Sequence, residues 1–116
     1  MTIQYKNQGF KQADTSLNTV LTCPTDATLI VKSVYCANND ASSAIDVNAS
    51  LVDSSNSNTE YEFFRDNVAA KTQVNASPQG INLEAGDSIK VQAATGSNKI
   101  QGVISYAQID RSQENG

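Results

Sequence analysis

The chain has 116 residues, a net charge of −4 at pH 7 and no histidine. A chain of this length closes a single hydrophobic core. Apolar residues make up 39% of it and charged residues 17%, a composition typical of a folded domain. Histidine is the most common general base and a frequent zinc ligand, so its absence argues against most catalytic and zinc-binding classes.

The distribution of charge also limits the partners. The Lys and Arg residues are scattered, whereas a sequence-independent grip on phosphate needs clustered cations, so we predict no nucleic-acid partner. No apolar run reaches the roughly 20 residues that cross a bilayer. Residues 1–12 lack the basic start and apolar stretch of a signal peptide. We therefore expect that the protein is made in a cytoplasm and does not associate with a membrane.

The first segment, residues 1–16, carries Ile3, Tyr5 and Phe10 among polar residues without a sustained period. Such a segment is either an arm that docks on another chain or an edge strand of the chain's own fold. We take these three side chains as candidate interface residues.

One strand is predicted before the turn that Pro24 begins and one after it. If residues 17–23 and 27–37 form a hairpin, Cys23 and Cys36 lie far apart along the ladder, and we expect both thiols to be reduced. The second strand is long, and Asn38 begins the polar turn that ends it.

The next strand, residues 45–53, alternates apolar and polar side chains and runs into the polar segment 53–59. That segment supplies several oxygen ligands, but their spacing does not match an EF-hand loop, so we expect a hairpin loop and no metal site.

The motif "EFFRDN" at residues 62–67 raises a packing problem. Adjacent strand side chains point to opposite faces, so one of Phe63 and Phe64 is left outside a simple core. A bulge or a second core layer would bury both within the chain, another subunit would cover one, or a small ligand would fill the gap. Arg65 is of a type favoured at interfaces, and we take Phe64 and Arg65 as further candidate interface residues.

A second hairpin is predicted at residues 84–87, where Gly86 can adopt a positive φ and Asp87 can bond its own following backbone. The last strand, residues 99–110, contains Gly102, which indicates a bulge or a close backbone approach.

Carboxylates occur in two close pairs, but neither pattern favours catalysis. Glu60 and Glu62 fit the solvated face of a strand, and Glu84 and Asp87 fit a tight turn. We predict no enzyme activity, no catalytic residue and no cofactor.

Apolar residues recur at a spacing of two and not of three and four, so the sequence predicts short strands and no long helix. Seven to nine strands indicate an all-β fold, a single antiparallel β-sandwich of immunoglobulin-like or jelly-roll topology. We divide the chain into an arm or edge strand (1–16), a sandwich domain (17–110) and a polar C-terminal tail (111–116).

Three stretches carry a resemblance to a known family: "VLTCPTDATLIVKSVYCANND", "YEFFRDNVAAKT" and "GINLEAGDSIKVQAAT". Over residues 17–110 the chain resembles small virion structural proteins of tailed bacteriophages, common in marine and cyanobacterial phages. The positions that match the family pattern have turn-making and strand-ending roles; they are Pro24, Lys32, Asn38, Gly86 and Asp87.

The resemblance implies a non-enzymatic sandwich, assembled in a host bacterial cytoplasm as symmetric copies on a virion. Its partners would be a major capsid or tail protein and further copies of itself in a homo-oligomer. Capsid decoration is the preferred role, and a tail, collar or baseplate component is the alternative. A carbohydrate- or receptor-binding module, presenting loops 38–43 and 53–59 to sugar hydroxyls, is a further hypothesis.

Overall fold

Two antiparallel sheets packed face to face make up the fold in the computed structural model, which describes residues 2–111. Within those residues the strands are β1 (Thr2–Lys11), β2 (Asn18–Thr22), β3 (Ala27–Asn38), β4 (Ile45–Asp53), β5 (Thr59–Val68), β6 (Gln73–Asn75), β7 (Ile81–Leu83), β8 (Ser88–Ala93) and β9 (Ile100–Asp110). Sheet A has the order β1-β9-β3-β6, with β7 also paired to β3, and sheet B has the order β2-β8-β4-β5. The predicted all-β antiparallel sandwich is confirmed.

The core lies between the sheets and is built from period-two alternation, as in β8, where Ile89, Val91 and Ala93 are all buried. In β3 the alternation changes phase. Val31 pairs with Tyr106 and Ser33 with Ser105, so Lys32 is an extra residue in β3.

Unbroken alternation would place residues 29, 31, 33 and 35 on one face of β3, and the bulge changes this arrangement. Leu29 and Val31 are buried before the bulge, and Val34 and Cys36 are buried after it. One extra residue moves every following side chain to the opposite face, so Tyr35 points outward.

Residues 17–23 and 27–37 do not form the hairpin that was considered for the turn about Pro24. β2 pairs with β8 in sheet B, whereas β3 lies in sheet A, so the turn carries the chain from one sheet to the other. The N–H of Cys23 donates to the C=O of Asp87 (2.8 Å), and the N–H of Ala27 donates to the C=O of Pro24 (3.2 Å). Turn residues specify a reversal of direction, but not which strand the chain meets next. Both thiols are free and buried.

The predicted hairpin at residues 84–87 is wrong for the same reason. β7 pairs with β3 in sheet A, and β8 lies between β2 and β4 in sheet B. The turn itself forms: Gly86 has a φ of 83°, and the N–H of Asp87 donates to the C=O of Glu84 (2.9 Å). The reversal connects two layers and not two neighbouring strands.

Residues 45–68 do form the expected hairpin, since β4 pairs with β5. A 3₁₀ turn at Ser54–Asn56 follows Asp53, whose carboxylate accepts the N–H of Ser55 (3.1 Å). Ser57 and Asn58 then adopt positive φ. Polar residues that tolerate such backbone conformations make this loop a turn.

The two ends of the described chain meet in sheet A. Residues 2–11 are an edge strand paired with β9 along their length. Arg111 follows β9, and its N–H donates to the C=O of Asp26 (2.8 Å). The rest of the tail assigned to residues 111–116 lies outside the described residues.

Candidate assembly surface

The outer face of sheet A exposes apolar side chains. Within residues 2–111, the exposed large apolar side chains are Ile3, Tyr5, Ile30, Tyr35, Tyr61 and Val103. All but Tyr61 belong to sheet A. Exposed apolar side chains that occur singly are ordinary, whereas a group on one face marks an interaction surface.

The register of the strands brings these side chains together. Tyr5 lies opposite Ala107, which lies opposite Ile30 on the other side of β9. Directly opposed residues in antiparallel strands point to the same face, so these three form one row across the sheet. Val103 lies opposite Tyr35 and makes a second row. We call the five exposed side chains of this face the outer patch: Ile3, Tyr5, Ile30, Tyr35 and Val103.

Tyr5 is the most exposed member of the outer patch, with 80% of its surface accessible. The ammonium of Lys32 lies 5.8 Å from the centroid of its ring, within the range of a cation–π contact. Lys32 is the extra residue of the β3 bulge, so the bulge also sets the surroundings of this ring.

Strand β1 is exposed on both faces. Apart from Thr2 and Phe10 its residues are all exposed, and within residues 2–111 no strand pairs along its free side. Ile3 and Tyr5 are therefore displayed at an open edge. A strand edge of this kind offers main-chain groups to another strand.

Phe10 occupies a different position from Ile3 and Tyr5. It lies opposite Gly102 and is half-buried against the core. A Cβ on Gly102 would overlap the ring of Phe10 and the C=O of Tyr35. The predicted close approach at Gly102 is thus present, and the glycine makes room for the phenylalanine.

The bulge in β5 explains the adjacent phenylalanines. Ala49 pairs with Phe64 and Ser50 with Glu62, so Phe63 is the extra residue. Both phenylalanines are half-buried and pack against the core. Phe64 shares the inner face with the buried Ala49. A bulge, one of the four alternatives considered from the sequence, therefore brings both rings against the chain's own core.

The same bulge brings Glu62 and Arg65 to one face, although residues three apart normally point to opposite faces of a strand. Arg65 donates from Nε to Glu62 Oε2 (3.0 Å) and from Nη2 to Oε1 (2.7 Å), and Asn48 Nδ2 also donates to Oε1 (2.9 Å). The hydrogen bonds from Arg65 and then Asn48 lower the pKa of Glu62. The pair is exposed, so it orders the strand surface more than it stabilises the fold.

The four predicted turn residues all lie where the chain changes direction. Pro24 and Gly86 lie in two of the connections that cross between the sheets, β2 to β3 and β7 to β8. Asp87 is buried and accepts from the N–H of Ser54 (3.0 Å), the hydroxyl of Ser54 (3.1 Å) and the N–H of Glu84 (2.9 Å). Its carboxylate bonds Ser54 and the preceding Glu84, and not the backbone that follows it as predicted.

Asn38 joins β3 to sheet B. Its side chain is buried and donates to the C=O of Ser43 and of Val68 (both 2.9 Å), and it accepts the N–H of Asp40 (2.9 Å). A strand-ending residue predicted from the sequence is therefore also a fully hydrogen-bonded link between the layers.

The loops considered for sugar binding use their polar groups internally. Asp40 accepts the N–H groups of Ser42 and Ser43 (2.9 Å each), which lower its pKa. In the second loop, Asn56 Nδ2 donates to the hydroxyl of Tyr61 (2.8 Å). These groups shape the loops.

The thiols are poorly suited to nucleophilic chemistry. Burial raises the pKa of Cys36 to about 12 and also raises the pKa of Cys23, whereas a reactive thiol has a lowered pKa. Within the described chain no group of three His, Cys, Asp or Glu side chains is arranged to hold a metal ion. No helix between residues 2 and 111 is long and apolar enough to cross a membrane.

The sequence pattern singled out Ile3 and Tyr5 of the outer patch as candidates but not Ile30, Tyr35 and Val103. The signal was present, because residues 27–37 are apolar on both alternating faces, and in a two-layer sandwich only one face of a strand reaches the core. Because the bulge at Lys32 cannot be read from the sequence, the sequence does not show which of these side chains point away from the core.

No protein-family model matches the chain, and no curated protein matches it. Solved structures with a similar fold include a protein of Bacillus endospore appendages, which are disulfide-linked pili, with a TM-score of 0.51 and 11% identity over 96% of this chain and 90% of that one. Another is a chain of the T13 IBDV viral particle, with a TM-score of 0.50 and 8% identity over 91% of this chain and 30% of that one. The present chain thus spans less than a third of the viral chain. At these identities the likeness establishes the fold alone.

Proposed function

We propose that the chain is a structural subunit of a tailed-bacteriophage virion, present in multiple symmetric copies and without enzymatic activity. Capsid decoration is the preferred role, and attachment to the tail, collar or baseplate is the alternative. In either role the subunit binds a major capsid or tail protein through the outer patch.

The observation that carries this proposal is the outer patch itself. Its side chains lie in two rows on the outer face of sheet A, and Tyr5 and Ile3 extend it to the edge strand β1. Buried aromatic side chains supply much of the energy of protein interfaces. A particle component is held by many repeated contacts, so it needs such a displayed surface more than a deep cleft.

Two further observations support the proposal. The chain resembles phage virion proteins over residues 17–110, and the pilus and viral-particle chains with a similar fold both belong to repeated assemblies. In the pili the subunits are disulfide-linked. Here Cys23 and Cys36 are buried, so assembly would depend on surface contacts and not on thiols.

Mass spectrometry of purified virions from a phage that encodes this chain tests the role. We expect the chain in stoichiometric multiple copies, with immunogold label over the head. Label over the tail would select the alternative, and absence of the chain from the particles would overturn the proposal.

The contribution of the outer patch is tested by adding purified variants to particles that lack the chain. Tyr5→Asp combined with Val103→Asp should abolish binding, because two desolvated carboxylates would face the partner. Tyr61→Asp is the matched control, since Tyr61 is also exposed but lies in sheet B. Equal binding by the unaltered chain, the double variant and the Tyr61 variant would exclude this face as the contact.

A further inference from the structure

Within residues 2–111, two long strands on opposite sides of the sandwich each have one side that pairs with no other strand. β1 ends sheet A and β5 ends sheet B, and each has ten residues. β1 lies beside β2, at the other end of the sheet B order from β5. A subunit with two separate edges of equal length can be extended from both sides.

The two edges carry opposite charge. β1 contains Lys6 and Lys11 and no acidic residue. β5 contains three acidic side chains and one arginine, and that arginine is already paired with Glu62. The side chains of β5 itself therefore sum to a net charge of −2. Glu60 also forms an ion pair with Lys90 of β8 (3.6 Å), and Asp66 accepts the N–H of Asn67 (2.8 Å). One edge is therefore basic and the other acidic.

This distribution disfavours pairing between like edges. Two β1 strands would bring lysines together, and two β5 strands would bring carboxylates together, and like charges opposed across strands are destabilising. Charged residues and bulges on edge strands normally prevent indiscriminate pairing. Here they leave one favourable combination, β1 with β5.

The spacing of the charges also fits. Lys6 and Lys11 are five residues apart in β1, whereas Glu60 and Asp66 are six apart in β5. The bulge at Phe63 adds one residue to β5 within that interval, so both spans cover the same number of ladder steps. In an antiparallel pairing, Lys6 would meet Asp66 while Lys11 meets Glu60.

We propose that β1 of one copy pairs antiparallel with β5 of a second copy of this chain, in the register that joins Lys6 to Asp66 and Lys11 to Glu60. The contact joins sheet A of one copy to sheet B of the next. It uses different surfaces on the two copies, so it builds a ring or a filament and not a closed two-fold dimer. This inference rests on the proposed multi-copy role and supplies the contact between copies.

Sedimentation velocity of the purified chain over a range of concentrations is the first test. We expect association beyond a dimer at low ionic strength. Raising the salt from about 0.01 M to about 1 M shortens the Debye length from about 30 Å to about 3 Å, and should weaken association by roughly tenfold or more. A chain that stays monomeric at low salt, or that stops at a dimer, would overturn the proposal.

Charge reversal tests the register. A β1 variant (Lys6→Glu with Lys11→Glu) and a β5 variant (Glu60→Lys with Asp66→Lys) should each be monomeric, because each has two edges of the same sign. Mixed together they should assemble, since each edge now finds its complement on the other variant. Circular dichroism confirms that both variants fold.

The matched control reverses two lysines outside the strands, Lys71→Glu with Lys99→Glu, and changes the net charge as much as the β1 variant does. It should assemble like the unaltered chain. Loss of assembly in this control would show that net charge and not the edge pairing controls association. Failure of the mixture to assemble would overturn the proposed register.

These outcomes are separate from those of the proposed function. Assembly restored in the mixture, with the chain absent from virions, would retain the edge pairing and remove the phage role. Virions that contain the chain, with no restored assembly, would do the reverse.

Discussion

Gly102 is the residue at which the smallest side-chain change should matter most. Adding a Cβ there would overlap the C=O of Tyr35 and the ring of Phe10. The C=O of Tyr35 cannot move away easily, because its strand is paired on both sides. We expect Gly102→Ala to lower the free energy of unfolding by about 1–3 kcal/mol, as overpacking does. Urea denaturation measures the loss.

Gly9→Ala is the control for this prediction. Gly9 lies opposite Val103 on the neighbouring strand, and a Cβ there would only approach the C=O of Gly102 at 3.9 Å, an ordinary contact. We expect a change within about 0.5 kcal/mol. Equal effects of the two substitutions would mean that the loss of glycine, and not the close approach, is responsible.

Cys36 makes stability depend on pH in the alkaline range. Burial raises the pKa of its thiol from 9.0 to about 12, so the folded protein keeps the proton while the unfolded chain releases it above about pH 9. The free energy of unfolding should therefore be unaffected by this group below pH 9 and should fall as the pH rises from about 9 to about 12.

Cys36→Ala isolates this contribution, because the variant keeps Cys23 and every other group that titrates at high pH. The stability difference between the unaltered chain and the variant should shrink as the pH rises through that window, measured by urea denaturation under reducing conditions. A difference that stays constant would place the thiol outside the core.

At the scale of the elements, Asp87 ties the turn between β7 and β8 to the end of β4. Asp87→Ala removes three hydrogen bonds and leaves the N–H groups of Ser54 and Glu84 without that acceptor. We expect a loss of about 1–3 kcal/mol in the free energy of unfolding, measured by thermal or urea denaturation.

Ser54→Ala provides the comparison, since it removes the hydroxyl but keeps the backbone N–H that Asp87 accepts. Its loss should be clearly smaller. A loss as large as that of Asp87→Ala would transfer the role from the carboxylate to the serine hydroxyl.

The strands themselves could be predicted from the sequence, because alternation and turn residues are local signals. Among their pairings, the β4–β5 hairpin could also be predicted, but the pairings between distant strands could not. The segments about Pro24 and Gly86 have ordinary reversals, but whether a reversal stays in one sheet or crosses to the other depends on which distant strand buries the next apolar face. β2 and β8 meet across more than 60 residues of sequence.

The candidate surface was predictable only in part. Ile3 and Tyr5 stood out as apolar side chains in a polar segment. Phe64 stood out beside Phe63, but a one-residue bulge, which has no fixed sequence signature, turned it toward the core. A similar bulge at Lys32 decided that Tyr35 would be exposed.

At the scale of the whole molecule, the last strand lies in the middle of sheet A. β9 pairs with both β1 and β3 and contributes the buried Ile100 and Ile104. The pairing of sheet A therefore cannot be completed until residues 100–110 have been synthesised. We expect a chain truncated after Lys99 to lack a cooperative unfolding transition, as followed by circular dichroism.

Removal of residues 2–8 is the contrasting deletion, because it takes away most of an exposed edge strand and leaves the pairing of β9 with β3 intact. We expect that protein to unfold cooperatively with a lowered midpoint. The opposite ranking of the two deletions would contradict the central position of β9.

Thr2 and Asp110 lie directly opposite each other in the ladder. A short peptide could bridge them, and new termini could then be opened in the loop between β4 and β5, as in a circular permutant. A protein fused before Thr2 and a protein fused after Asp110 would both lie at the same corner of the sandwich. Cargo could therefore be displayed at the same place from either fusion.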